Sequence, residues 1–237
     1  MKSTGTDLAQ EAVRLSGNRP RLLDHQGALR ISGRVTRTIR RMQGRSAMDI
    51  QPRDVIKVLN MAEIKFTLVD AHGIAGWLLE PRASQDVDAL VHAQHKKAVQ
   101  AMRKAYPDLR VEDAVAVTRF IDRATDLAVI DLMKPHSDLH EAVRDYAVQV
   151  GKTHRVPDLE MALALKYAAM DSPNRRENKK RQDKVDFYSM VAAHGEEIAD
   201  DKLFSLGEMV KNGGGKEILK LVEVARAEWH QDSQDNG

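Results

Sequence analysis

An α/β domain followed by a helical module is the architecture this sequence predicts. Three observations carry the prediction. Strand-length apolar runs alternate with segments of helical period between residues 52 and 133, helical spacing dominates after Pro135, and one apolar run carries two aspartates two residues apart. A chain of 237 residues can bury one main core and still carry an appendage. The pattern divides it into a basic N-terminal extension over 1–47, expected to be flexible, an α/β domain over 48–155, and a helical C-terminal module over 156–230.

Pro52, or Asp49 before it, can open a helix that runs to Ala62, since proline is tolerated in a first turn where no helical amide bond is lost. IKFTLV (64–69) reads as a short buried strand, HGIAGWLL (72–79) as a helix of small residues and DVDALVH (86–92) as a strand. A helix over 95–105 follows, and Pro107 ends it. VAVTRFI (115–121) and LAVIDLM (127–133) are close enough in sequence to pair as neighbouring strands. Beyond Pro135, segments 138–150, 158–170, 184–194 and 216–229 all repeat at helical spacing. SPNRRENKKRQ (172–182) reads as a polar connection, and glycines 213–215 as the turn before the last helix.

Composition narrows the function classes. With 42% hydrophobic and 30% charged residues the chain is that of an ordinary globular protein rather than a disordered one. Cysteine is absent, which excludes disulfides, thiolate zinc sites and cysteine nucleophiles. No apolar run approaches the roughly 18 residues of a membrane span, and the first residues lack the apolar core of a signal peptide, so a cytoplasmic protein without membrane contact is expected. The net charge of +2 conceals a partition: residues 1–47 carry ten Lys/Arg against three acids, and residues 48–237 carry 27 against 32. Such a basic arm suits nucleic-acid phosphates but offers no aromatic residue to stack on bases, and a solvated extension is its plainer use. Met48 is a second candidate start.

The segment from Arg82 to Val91 is the most informative. Asp86 and Asp88 project to one face of a strand, where two carboxylates can share a divalent cation, while Val87, Ala89 and Val91 anchor the other face. Oxygen ligands without cysteine or clustered histidine favour magnesium or manganese over zinc. Asp131 lies inside an apolar run, a costly place for a carboxylate unless it is paired or metal-bound, and a strand beside 86–91 would bring it to the same place. An ion pair with Lys134 or a distant arginine is the alternative. Asp113, Asp122 and Asp126 are rivals at strand ends or in the turn. Lys166 interrupts the apolar stripe Leu159, Leu163, Met170, so it either faces a cleft or snorkels to solvent. Ser84 can bind a phosphate or cap the turn. His136 and His140 have a spacing that could seat zinc but no third ligand, and Arg175, Arg176, Lys179, Lys180 and Arg181 form either a nucleic-acid contact or a solvated loop.

The order VDAHGIAGWLLEPRASQDVDALV, then VIDL, then DLEMALALKYAAM and KKRQDKVDFYSMV resembles the minimal nucleotidyltransferases of the DNA polymerase β-like superfamily, AbiE-type abortive-infection toxins and related bacterial proteins among them. The resemblance spans about residues 50–229 and rests on the Pro-Arg-x-Ser-x-Asp-x-Asp segment preceded by a small-residue helix. It implies a mixed sheet flanked by helices, and a magnesium-dependent transfer of a nucleoside monophosphate from an NTP to an RNA end, tRNA included, or to a protein hydroxyl, with an antitoxin as partner. It implies Asp86, Asp88 and Asp131 as metal-holding acids, and Lys166, Arg82, Ser84 and the backbone of Ala71 and Gly73 as contacts to the triphosphate. Asp183 and Asp186 match acidic positions after the lysine helix, expected to pair with the Arg/Lys stretch. One position departs from the pattern. Asp70 stands where a glycine is expected, and its charge would repel a polyphosphate unless neutralised, so the resemblance also admits a catalytically impaired, partner-binding module.

Overall fold

The computed structural model describes residues 24–42 and 49–235, the stretch 229–235 as backbone only. In chain order the elements are α1 (His25–Met42), α2 (Pro52–Met61), β1 (Thr67–Leu68), α3 (Asp70–Gly73), β2 (Val87–Leu90), α4 (His95–Ala105), β3 (Arg110–Asp113), β4 (Val117–Asp122), β5 (Leu127–Met133), α5 (Asp138–Ala142), β6 (Ala147–Val150), β7 (His154–Pro157), α6 (Leu159–Asp171), α7 (Glu177–His194), α8 (Asp200–Val210) and α9 (Gly214–Asp235). Seven strands form one mixed sheet in the order β3-β4-β5-β2-β1-β7-β6. The β2–β5 and β1–β7 pairs are parallel and the others antiparallel. The expected class, a mixed sheet flanked by helices with a helical C-terminal module, is the one observed.

Each face of β2 serves a different core. Val87, Ala89 and Val91 pack with Phe120, Ile130 and Leu132 against α2 and α4, whereas Leu90 joins a second core with α6, α7, α8 and α9. Alternation therefore sends Asp86 and Asp88 to the face of the C-terminal helices. The helix starts follow their local chemistry. Pro52 occupies the first turn of α2, where Asp54 Oδ2 accepts from the Gln51 amide at 3.0 Å, and the Asp158 carboxylate caps α6 by accepting from Met161 N at 3.1 Å.

Four sequence expectations need correction. The segment 138–150 is one turn of helix followed by strand β6, because after Tyr146 the Ala-Val-Gln-Val alternation pairs with β7 (Ala147 opposite Pro157, Val148 opposite Val156). A boundary at 155/156 falls inside β7, which pairs in parallel with β1. The polar stretch 172–182 is already helical from Glu177, and α8 lies in a segment left unassigned. Lastly, α1 lies within the supposedly flexible basic arm and buries Ala28, Ser32, Gly33 and Thr36 against the body. Small residues let it approach closely: a Cβ on Gly33 would lie 2.8 Å from Gln51 Oε1. The rest of the arm, 1–23 and 43–47, lies outside the described residues, as does Met48. Among the described residues no helix is long and apolar enough to cross a membrane.

A chain begun at Met48 would leave Arg82 O and Ser84 N without the partners α1 gives them. Its unfolding free energy should fall by on the order of 3 kcal/mol, read as a melting temperature several degrees lower by calorimetry. An unchanged melting curve would show that α1 contributes nothing to the folded body.

Candidate active site

The parallel register of β2 and β5 sets Asp88 directly opposite Asp131. With Asp86, which immediately precedes β2, each offers an oxygen within 4.8 Å of the others. Ser84 Oγ donates to Asp86 Oδ1 at 3.1 Å, and Arg119, the cross-strand partner of Asp131 on β4, donates to Asp131 Oδ2 at 3.2 Å. Asp131 Oδ1 is buried and has no hydrogen-bond partner among the described residues. Between the pairs Phe120–Ile130 and Ile121–Ala128, β5 holds one extra residue, Val129, a bulge that re-aims the strand just before Asp131.

Three carboxylates this close resist ionising together. Burial first, then the charge of Asp86, pushes Asp131 up to about 6. Burial, followed by Asp86, Asp70 and Asp131, pushes Asp88 well above the ordinary aspartate range, and burial with Asp70 raises Asp86. Lys134, proposed from sequence as a partner of Asp131, instead binds Asp113 at 2.6 Å. The other rivals are also satisfied: Asp122 accepts from Ala124 N at 2.9 Å and Thr125 Oγ1 at 3.1 Å, and Asp126 pairs with Arg110. An all-carboxylate donor set with one unbonded buried oxygen fits a hard divalent cation such as magnesium or manganese.

Beside the triad lies a second acidic cluster of the same tightness, and it is filled. Asp70, Asp183 and Asp186 surround Lys166 of α6, whose Nζ binds Asp70, lies 3.0 Å from Asp183 Oδ1 and 2.8 Å from Asp186 Oδ2. Arg82 forks onto Asp186 at 2.7 and 2.8 Å and reaches Asp70 at 3.4 Å, while Arg175 binds both oxygens of Asp183. Three acids thus meet three bases. The Lys166 side chain is 4% exposed, so it neither snorkels nor stands free in a cleft. Burial works to discharge it, and Asp70, Asp186 and Asp183 overcome that and hold it charged above the usual lysine range. Against burial, Lys166 and then Arg82 hold Asp70 below the usual carboxylate range. Asp183 pairs with Arg175 of the 172–182 stretch as sequence suggested, but the arginine on Asp186 is Arg82.

Asp70 has φ +48°, a left-handed conformation that glycine or aspartate tolerates, which explains why it can replace a glycine there. Ala71 and Gly73 are buried, and a Cβ on Gly73 would lie 2.3 Å from Leu68 O, so the missing side chain lets the loop fold on its own strand. Ser84 caps no helix. It gives its hydroxyl to Asp86 and its amide to Thr36 Oγ1, at 3.0 Å. Sequence reasoning missed His72, which is buried, lies 3.0 Å from Ser32 Oγ, and is held neutral with its pKa lowered to about 4, first by burial. It also missed a hollow of about 140 Å³ between α1 and the segment 83–85, formed by Thr36, Ile39 and Arg40 of α1 with Ser84, Gln85 and Val129 among its other walls. No periodicity signals that α1 closes over this loop. His136 and His140 stack on each other with centroids 4.1 Å apart, and His140 Nδ1 bonds Ser137 Oγ at 2.8 Å; among the described residues neither belongs to a metal-binding group. Gly213 turns the chain with φ +80°, and the amides of Gly213 and Gly215 are taken by Glu208.

No protein-family model matches the chain, and no curated protein matches it. Solved structures similar to it include an antigenic nucleotidyltransferase-like protein from Paracoccidioides brasiliensis, 16% identical with a TM-score of 0.42, the alignment covering 68% of this chain and 77% of that one. JHP933 from Helicobacter pylori is 15% identical with a TM-score of 0.43, covering 77% and 92%. The antibiotic-resistance factor ANT(2'')-Ia is 13% identical with a TM-score of 0.44, covering 76% and 90%. Likeness at this level fixes neither activity nor substrate; those must come from the side chains.

Two predictions follow from the two clusters. A carboxylate raised in the folded protein keeps a proton that the unfolded chain has released, so the stability of metal-free protein should fall as pH rises from the ordinary 3.8 through about 6. Asp131 alone contributes on the order of 2–3 kcal/mol to that loss. Asp131→Asn should flatten the slope between about pH 4 and 6 in thermal melts, and added manganese should restore the wild type only. An equal slope in both proteins would reject the triad's repulsion. At the other cluster, Lys166→Ala leaves three carboxylates facing one another and should cost about 3–5 kcal/mol, roughly 10 °C in melting temperature. A loss under 1 °C would mean that Lys166 is not the keystone of its cage.

Proposed function

We propose that this chain transfers a nucleoside monophosphate from an NTP to a hydroxyl acceptor, with magnesium or manganese held by Asp86, Asp88 and Asp131. The observation that carries this reading is the juxtaposition of Asp88 and Asp131 on parallel strands beside Asp86, with a buried Asp131 oxygen that no group among the described residues satisfies. Carboxylates packed this way repel one another unless a cation lies among them. A bound divalent ion would offset charge on the phosphate and on the attacking oxygen.

In the transfer, the acceptor oxygen bonds to the α-phosphorus as the bond from that phosphorus to the bridging oxygen breaks in line, and pyrophosphate leaves with the electron pair. A carboxylate of the triad takes the hydroxyl proton as the new bond forms. Polyphosphate charge is met on the α7 side. Lys166 and Arg82 are spent on carboxylates, whereas Lys179 is exposed and its charge is felt at Asp86. RNA ends, tRNA among them, and protein hydroxyls are the acceptor classes of this reading, with a toxin role and an antitoxin partner as its biological setting.

A second reading, an impaired module that binds a partner, is favoured by Asp70, which helps lock Lys166 and Arg82 away from a triphosphate. Radiolabelled NTPs with manganese, offered RNA and protein pools, separate the two. The expected outcome is a metal-dependent labelled acceptor, reduced at least about a hundredfold by Asp88→Asn. Asp70→Gly, which keeps the left-handed backbone and leaves the cage with one surplus positive charge, should bind NTP more tightly than wild type in calorimetry, most of all at low salt. Wild-type protein that labels nothing and binds no NTP, beside an Asp70→Gly variant that does bind, would establish the impaired reading.

A further inference from the structure

Of the three acids in the triad, Asp86 alone lies outside the strand ladder, since β2 begins at Val87. Asp88 and Asp131 are fixed by their register. Asp86 must be fixed by whatever holds the irregular segment 82–85 that leads into it, and that holder is α1. Three α1 side chains four residues apart, on one face of the helix, grip the segment in turn. Ser32 Oγ donates to Arg82 O at 2.6 Å, Thr36 Oγ1 accepts from Ser84 N at 3.0 Å, and Arg40 Nη2 donates to Gln85 O.

Each grip is itself oriented. The Thr36 hydroxyl hydrogen is committed to Ser32 O at 2.8 Å, which leaves its lone pair for Ser84 N. Arg40 also donates to Ile50 O at 3.3 Å, so its guanidinium spans two chain segments. Ser84, its backbone pinned by Thr36, then donates its own hydroxyl to Asp86 Oδ1 at 3.1 Å. The line of contact runs from α1 through Ser84 to a carboxylate of the triad.

We propose that α1 is part of the active site, with Thr36 and Arg40 as positioning residues that set Asp86 as a metal ligand. The inference rests on the reading of the triad as a divalent-cation site. It gives a role in metal binding to a helix that lies within the stretch read from sequence as a flexible, solvated basic extension. Outer partners of metal ligands commonly change affinity by 10–100-fold when removed, and that is the scale expected here.

The test is manganese affinity of the full chain without nucleotide, by calorimetry or electron paramagnetic resonance, beside its melting temperature. Thr36→Val and Arg40→Met should each weaken manganese binding about tenfold or more, and Thr36→Ser, which restores the hydroxyl, should recover it. Arg34→Ala, on the exposed face of α1, should bind as wild type does. Should Thr36→Val prove too unstable to titrate, Arg40→Met decides alone. Wild-type affinity in Thr36→Val and Arg40→Met would overturn the inference while leaving the metal site in place. A wild type that binds no manganese, with Asp88→Asn no different, would instead remove the triad reading and the inference with it.

Discussion

The buried charge of Lys166 constrains the rest of the molecule. An ammonium group this deep in the protein is tolerable only if carboxylates surround it, and those carboxylates come from distant parts of the chain: Asp70 from the loop after β1, Asp183 and Asp186 from α7. Arg82 and Arg175 then neutralise what Lys166 leaves over. The α/β sheet and the C-terminal helices are thereby tied by charge as well as by apolar packing. The same contacts fix the approach to Asp86, because Arg82 begins the segment that leads to it.

The two acidic clusters show how neighbouring groups of similar composition acquire opposite characters. Around Lys166 three acids meet three bases, and the assembly is complete without a ligand. At Asp86, Asp88 and Asp131 the described residues supply one direct basic contact, from the half-exposed Arg119, and leave one buried oxygen bare. The imbalance, rather than the number of carboxylates, is what gives the triad its chemistry.

That triad was legible in sequence because it obeys short-range rules: alternation put Asp86 and Asp88 on one face, and the cost of a carboxylate within LAVIDLM marked Asp131. The strands that bear it and the helices α2, α4, α6 and α9 were legible for the same reason. What escaped depends on partners remote in sequence. β7 finds its parallel partner almost ninety residues away at β1, Thr67 opposite Arg155, and no local pattern announces such a pairing. The fate of Lys166 was hidden for a like reason, since the stripe shows that a charge points inward but not that Asp70 waits there. α1 was misjudged because its charge is read easily, whereas its buried face of Ala28, Ser32, Gly33 and Thr36 has little apolar signal.

Asp70 links the two clusters. As a bare carboxylate it would repel a polyphosphate, but Lys166 and Arg82 already neutralise it, so its principal effect is to occupy cations that a phosphate could otherwise use. Its charge is nevertheless felt at Asp86 and at Asp88, where it adds to the burial that disfavours ionisation. Lys166 acts on Asp88 in the opposite sense. A cation among the triad would therefore relieve repulsion within it and also repulsion from Asp70. By this coupling the residue that departs from the expected glycine adds to the negative charge felt at the triad while it holds a lysine and an arginine in ion pairs.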